Sequence, residues 1–280
     1  MYKPIKMTHL KIVSSLVFFG ITLSIIAQDG TNDSKMELGA LITDRPDATE
    51  SPNTVPQGFL QIETGAYYTS FEDMIEGNTV KEEAIGYNTT LLRYGVLENL
   101  EVRLGWNFEE GQTTVNGTKL MNVSSGFTPL LAGMKVEISE EKGWMPTIGL
   151  LAHLFLPVSA GADYKPDTTG ANILFSFSHT LSDSSGIGYN LGAKWGDDSP
   201  QVAYVYTIAF GQSLVGDLSF YAELYGDLPE NDSSNHFWDA GFTYLLTDDI
   251  QLDATIGSGI TEGQDLLLSG GISYRIQKKK

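Results

Sequence analysis

From Leu60 onward the chain alternates. Leu60, Ile62, Thr64, Ala66 and Tyr68 fall on one face of an extended run, with Gln61, Glu63, Gly65 and Tyr67 on the other. That is the period of a strand, not a helix. Val102, Leu104, Trp106 and Phe108 likewise oppose Glu101, Arg103, Gly105, Asn107 and Glu109, and Leu130, Ala132, Met134, Val136 and Ile138 oppose Leu131, Gly133, Lys135 and Glu137. The run over residues 85–96 is the least regular, and its facing is ambiguous. Further alternating runs continue to Ile276, so the pattern predicts about 12 strands in a single all-β unit over residues 57–276. Short turns at 97–100, 140–143, 183–186, 214–217 and 247–249 take turns with mostly longer polar loops at 72–83, 111–122, 159–167 and 229–235; those at 197–200 and 261–264 are shorter.

One such pattern serves two solvents. In a soluble sandwich the apolar faces turn inward, whereas in a membrane barrel they meet lipid and the polar faces line the lumen. Tyr68, Trp106, Trp195, Phe210, Tyr244 and Tyr274 stand near strand ends on the apolar face, as the aromatic girdles of a membrane barrel do. Closure also removes the open edges that a sheet this long would expose. The expected fold is a transmembrane antiparallel up-and-down β-barrel, with a periplasmic sandwich as the competing reading.

The first residues read as an export signal. Lys3, Lys6 and Lys11 precede the apolar run 12–26, and Ala27 supplies a small residue before the cleavage point, so residues 1–27 are expected to be removed. Removal changes the formal charge from −18 to −18 − 3 = −21. So acidic a chain excludes nucleic acid as a partner, since phosphate binding needs clustered Lys and Arg, and the basic tail 277–280 reads as solvated. With no cysteine in the sequence, disulfides and thiol chemistry are excluded.

Between the signal and the first strand, residues 28–56 are expected to form a periplasmic N-terminal segment, polar in composition. Its second half begins a stretch reading TDRPDATESPNTVPQGFLQIETG over residues 43–65. Pro46 and Pro52 keep it from being helical, and Asp44, Arg45, Asp47 and Glu50 make it a box of mixed charge. This stretch resembles the opening signature of a family of outer-membrane β-barrel transporters named after the MetA pathway of phenol degradation, in the form common among Bacteroidetes. The resemblance implies the bacterial outer membrane as location, membrane lipid and the outer-membrane assembly machinery as partners, and a passive channel for small solutes, apolar or aromatic ones among them. The oligomeric state stays open.

The charges on the polar faces are the candidate solute path: Glu63, Glu101, Arg103, Lys135, Glu137, Lys194, Glu223, Asp239, Asp253 and Arg275. A charge on the lipid face costs about 2–4 kcal/mol at the midplane for Arg or Lys, so their repetition on one face says where water is. The same residues could instead close the lumen by ion pairs across it. The box residues are expected to pair with lumen or turn charges and to fold against the barrel base or into it as a short plug. No pattern for metal, cofactor or nucleophilic catalysis stands in its required context, so no cofactor, no metal and no enzymatic activity are expected. His153 and His179, each near a serine, keep a lipid-modifying hydrolase as the alternative, beside a surface-interaction role for the external loops.

Overall fold

The computed structural model describes residues 38–196, 201–261 and 263–277. The signal assigned to residues 1–27 and the last three residues of the basic tail lie outside them. Within them run thirteen strands: β1 (Phe59–Ile75), β2 (Asn78–Leu97), β3 (Leu100–Val115), β4 (Thr118–Phe127), β5 (Leu130–Ser139), β6 (Thr147–Leu156), β7 (Gly170–Ser182), β8 (Ser185–Trp195), β9 (Val202–Val215), β10 (Leu218–Pro229), β11 (Asn235–Thr247), β12 (Ile250–Gly259) and β13 (Leu266–Gln277). All neighbours are antiparallel, and β1 pairs with both β2 and β13, so the sheet closes on itself. The strands β4 and β5 both pair with β3, one above the other, and meet at Thr128-Pro129, where proline cannot donate to the ladder. They are two halves of one stave, and the barrel has twelve.

The molecule is inside-out relative to a soluble protein. Its buried side chains include Gln61, Glu63, Arg93, Glu101, Arg103, Lys135, Asn190, Glu223, Asp239 and Asp253, whereas Val102, Met134, Phe175, Leu191, Ile208, Phe242 and Ile256 are exposed on the outer face. A soluble chain rarely exposes apolar patches beyond a few hundred Å². A continuous apolar wall around a polar interior fits lipid, which rules out the sandwich. Phe210, Tyr244 and Tyr274 lie at the short-turn end, and Tyr68 and Trp195 toward the other.

Two polar segments read from sequence as loops are strand instead. Residues 72–83 and 111–122 continue β1, β2, β3 and β4 into two tall hairpins that turn at Glu76-Gly77 and Asn116-Gly117, all four residues at positive φ. Two adjacent αL residues form the tight turn that suits right-twisted strands. These stretches lack an apolar face because they extend past the lipid, but alternating Thr, Val and Glu still pair through the backbone. Residues 140–146 make a longer connection than the tight turn expected at 140–143. The ambiguous facing of β2 has a cause in a bulge between Tyr87 and Thr90, with Asn88 at φ 50°. Ile85 and Tyr87 face outward above it and Tyr94 and Val96 below it, so the phase changes sides.

Candidate functional site

Residues 39–57 run inside the barrel. The segment enters at the short-turn mouth, where Leu41 N–H donates to Asp248 C=O at 2.7 Å and Gly39 C=O accepts from Arg275 Nη2 at 2.8 Å. It leaves at the same mouth, where Gly58 N–H donates to Gly95 C=O at 2.9 Å before β1 begins. The short-turn end is the periplasmic one in this architecture.

Irregular backbone at membrane depth needs partners for its polar groups, and here the wall side chains supply them. Asp44 N–H donates to Glu63 Oε2 at 3.1 Å, Ala48 N–H to Glu223 Oε2 at 2.7 Å, Glu50 N–H to Asn190 Oδ1 at 2.7 Å, and Val55 N–H to Glu101 Oε2 at 2.8 Å. The acidic excess of the lumen thus has a structural use, as acceptors for the segment folded into it.

The side chains divide into two clusters. On the β2, β3 and β5 side, Asp44 lies 2.7 Å from Lys135 Nζ, 3.0 Å from Arg103 Nη2 and 3.1 Å from Arg93 Nη1. Arg93 also contacts Glu63 at 2.9 Å and Glu101 at 2.8 Å, and Glu50 pairs with Arg103 at 2.8 Å. Across the lumen, Arg45 grips Asp253 with two contacts, Nη2 to Oδ1 at 2.8 Å and Nε to Oδ2 at 3.1 Å. The β10 and β11 side differs. Glu223 and Asp239 stand directly opposite each other in register, Thr49 donates its hydroxyl to Glu223, and Asp239 Oδ1 is buried without a partner. Among the described residues no cation pairs with either.

Five inward glycines shape the wall to this segment. A Cβ at Gly271 or Gly65 would stand 2.5 to 2.9 Å from the Arg45 guanidinium, and one at Gly149 would stand 2.8 Å from the Pro52 Cα. Gly95 faces Val55 and Pro56, and Gly188 faces Thr49. Pro52 and Val55 are buried in these seats, and Leu41 is buried at the mouth.

The charges expected to share the polar face therefore separate by height. Glu63, Glu101, Arg103, Lys135, Glu223, Asp239 and Asp253 are buried around the segment, as is Arg275 at the mouth. Glu137 meets Asn53 at 3.4 Å near the same mouth, whereas Lys194 pairs with Asp227 toward the opposite end and is half exposed. Arg93, at 0% exposure the centre of one cluster, escaped the sequence reading because the bulge hides its phase. Its signal was available in the register of the neighbours, since Arg93 faces Arg103 across the ladder. His153 is buried in the lumen with Nε2 unpartnered, His179 lies 3.4 Å from the Tyr189 hydroxyl, and neither is hydrogen-bonded to a serine. Among the described residues no group of three or more His, Asp or Glu is placed to hold a metal ion.

Among the described residues, spaces lie at different heights along the lumen. Toward the tall hairpins is one of about 380 Å³, lined by Glu82, Gln112 and Tyr164. Below it a cavity of about 390 Å³ sits against the segment, between Arg45, Glu50 and the side chains of Leu91, Leu131 and Phe155. On the other side of the segment, a cavity of about 600 Å³ opens at the short-turn end among Thr49, Ser178, Ser213 and Tyr221.

A family model described as "Putative MetA-pathway of phenol degradation" matches residues 43–276. The chain belongs to this family. Its match begins at Thr43 and so takes in most of the inward segment as well as the barrel. In fold the chain is similar to an outer membrane channel from Pseudomonas putida F1, at 11% identity and TM-score 0.60 over 80% of this chain and 97% of that one. Weaker likenesses are to the translocator domain of the autotransporter NalP from Neisseria meningitidis (12% identity, TM-score 0.49, 79% and 90% covered) and to the CymD monoaromatic hydrocarbon channel (10%, 0.44, 81% and 90%). No match was found among curated protein sequences. An apolar outer wall and membership of this family place the protein in the bacterial outer membrane.

Proposed function

We propose that this protein is a passive channel for small apolar or aromatic solutes, held closed by residues 39–57. The observation that carries the reading is the cavity above the segment, where Leu91, Leu131 and Phe155 bring apolar surface into a largely polar lumen. An apolar solute gains from such a surface, and the charged clusters around it give ions no free counter-charge. The wall charges Glu63, Glu101, Arg103, Lys135, Glu223, Asp239 and Asp253 then frame the path, with Arg275 and Glu137 at one mouth and Lys194 toward the other. Similarity in fold to a channel supports the reading. Planar-bilayer recording tests it: deleting residues 39–54 raises conductance well above that of the intact chain. A deleted chain that inserts, keeps its heat-modifiable gel migration and conducts nothing refutes it.

A further inference from the structure

Glu50 borders both the apolar cavity above the segment and the larger cavity below it. Its two ends are held differently. The backbone is pinned, with N–H donating to Asn190 Oδ1 at 2.7 Å and C=O accepting from Asn190 Nδ2 at 2.8 Å and from the Ser176 hydroxyl. The carboxylate has Arg103 at 2.8 Å and Lys135 only at 3.9 Å. Its side chain is 21% exposed, against 0% for those of Arg103 and Lys135 and 2% for that of Asp44. Of the carboxylates paired to these two cations, Glu50 is therefore the one that meets water. It can rotate without drawing the segment with it, because Arg103 and Lys135 keep Asp44 at 3.0 and 2.7 Å.

We propose that the Glu50 carboxylate is the septum between these two cavities and the gate of the passage between them. Swung off Arg103, it joins the two spaces into one passage; paired with Arg103, it separates them. Because Asp44 continues to neutralise Arg103 and Lys135, an anionic solute entering the passage loses hydration and finds no unpaired cation there, a cost that an uncharged solute does not meet. The opened passage therefore favours uncharged solutes over anions. This inference rests on the channel reading above.

The sequence contains no cysteine, so Glu50→Cys gives a unique thiol. In proteoliposomes, Glu50→Ala should raise arabinose-driven swelling and bilayer conductance several-fold with little change in thermal midpoint, and should favour arabinose over the similarly sized anion arabonate. Glu50→Gln, which keeps the length of the side chain, should give a smaller rise. Glu50→Cys should react with a membrane-impermeant thiol reagent from either face, and the reaction should return conductance toward the closed level. Unchanged flux in Glu50→Ala beside an open 39–54 deletion would overturn the gate while leaving the channel standing, as would labelling from one face alone or equal passage of arabonate. A silent deletion would remove the channel reading and the gate with it.

Discussion

Replacing Asp44 by alanine should release residues 39–57 from the wall without unfolding the wall. Asp44 is the shared counter-ion of Lys135, Arg103 and Arg93, at 2.7, 3.0 and 3.1 Å. Once it is truncated, the nearest carboxylate paired to Lys135 is Glu50 at 3.9 Å. Removing one partner of a buried ion pair costs about 3–5 kcal/mol, because the charge left behind stays desolvated. At about 1.4 kcal/mol per decade, the docked form loses roughly 10²- to 10⁴-fold in its equilibrium with the released form. None of the ladder hydrogen bonds of the wall passes through Asp44, so the loss falls on docking. Hydrogen exchange read by mass spectrometry separates the two. Amides that donate to the wall, those of Ala48, Glu50 and Val55, should lose protection by that factor, while strands such as β7 and β12 keep theirs. Asp44→Asn, which retains an acceptor for Ser51 N–H at 2.9 Å, should lose less. Unchanged protection over residues 44–55, or equal loss throughout the barrel, would refute the claim that Asp44 is the keystone of docking.

Other consequences follow from the two remaining contacts and the glycine seats. Arg45→Ala should lower thermal stability by about 3–5 kcal/mol, because it leaves Asp253 buried without its cation; Asp253→Asn in the same background should recover part of the loss, and no recovery would argue against the pair. Gly271→Val should eject Arg45, since its seat lies within 2.6 Å of where the new Cβ must stand; channel current should rise to resemble that of Arg45→Ala, and a closed, stable variant would contradict the seat. Glu223→Gln should stabilise the barrel by up to about 1 kcal/mol by relieving the like-charge pair with Asp239, its one remaining oxygen accepting from Ala48 N–H while its NH2 donates to the Thr49 hydroxyl, which can turn to accept. A lowered thermal midpoint would show that the carboxylate itself is needed.

The alternation made the staves readable, because each has one face on lipid and one on polar groups, and only a two-residue period satisfies both. Where that contrast of solvents ended, the reading ended too. The tall hairpins over residues 72–83 and 111–122 are wet on both faces and so carry no apolar stripe, although their backbones pair as well as any. Arg93 was hidden for a different reason, since one bulge moved its strand by half a period. The glycines at 65, 95, 149, 188 and 271 were invisible as a set, because a missing side chain announces nothing until its neighbour is known. The mixed charge of Asp44, Arg45, Asp47 and Glu50 was plain in the sequence, but the partner of each could be named only once register fixed which wall residue stood at which height.

The segment over residues 39–57 begins and ends at one mouth, and this has a mechanical meaning. It is a bight pushed into a tube rather than a cord drawn through it, so chain and barrel are not topologically linked. It can go in after the last strand has closed on the first, and it can come out again with every ladder hydrogen bond intact. Tension on the chain ahead of Gly39 would strip Leu41 from Asp248, then Asp44 from its three cations and then Arg45 from Asp253, like the teeth of a zip, rather than all at once. The force needed is set by the strongest single contact and not by their sum.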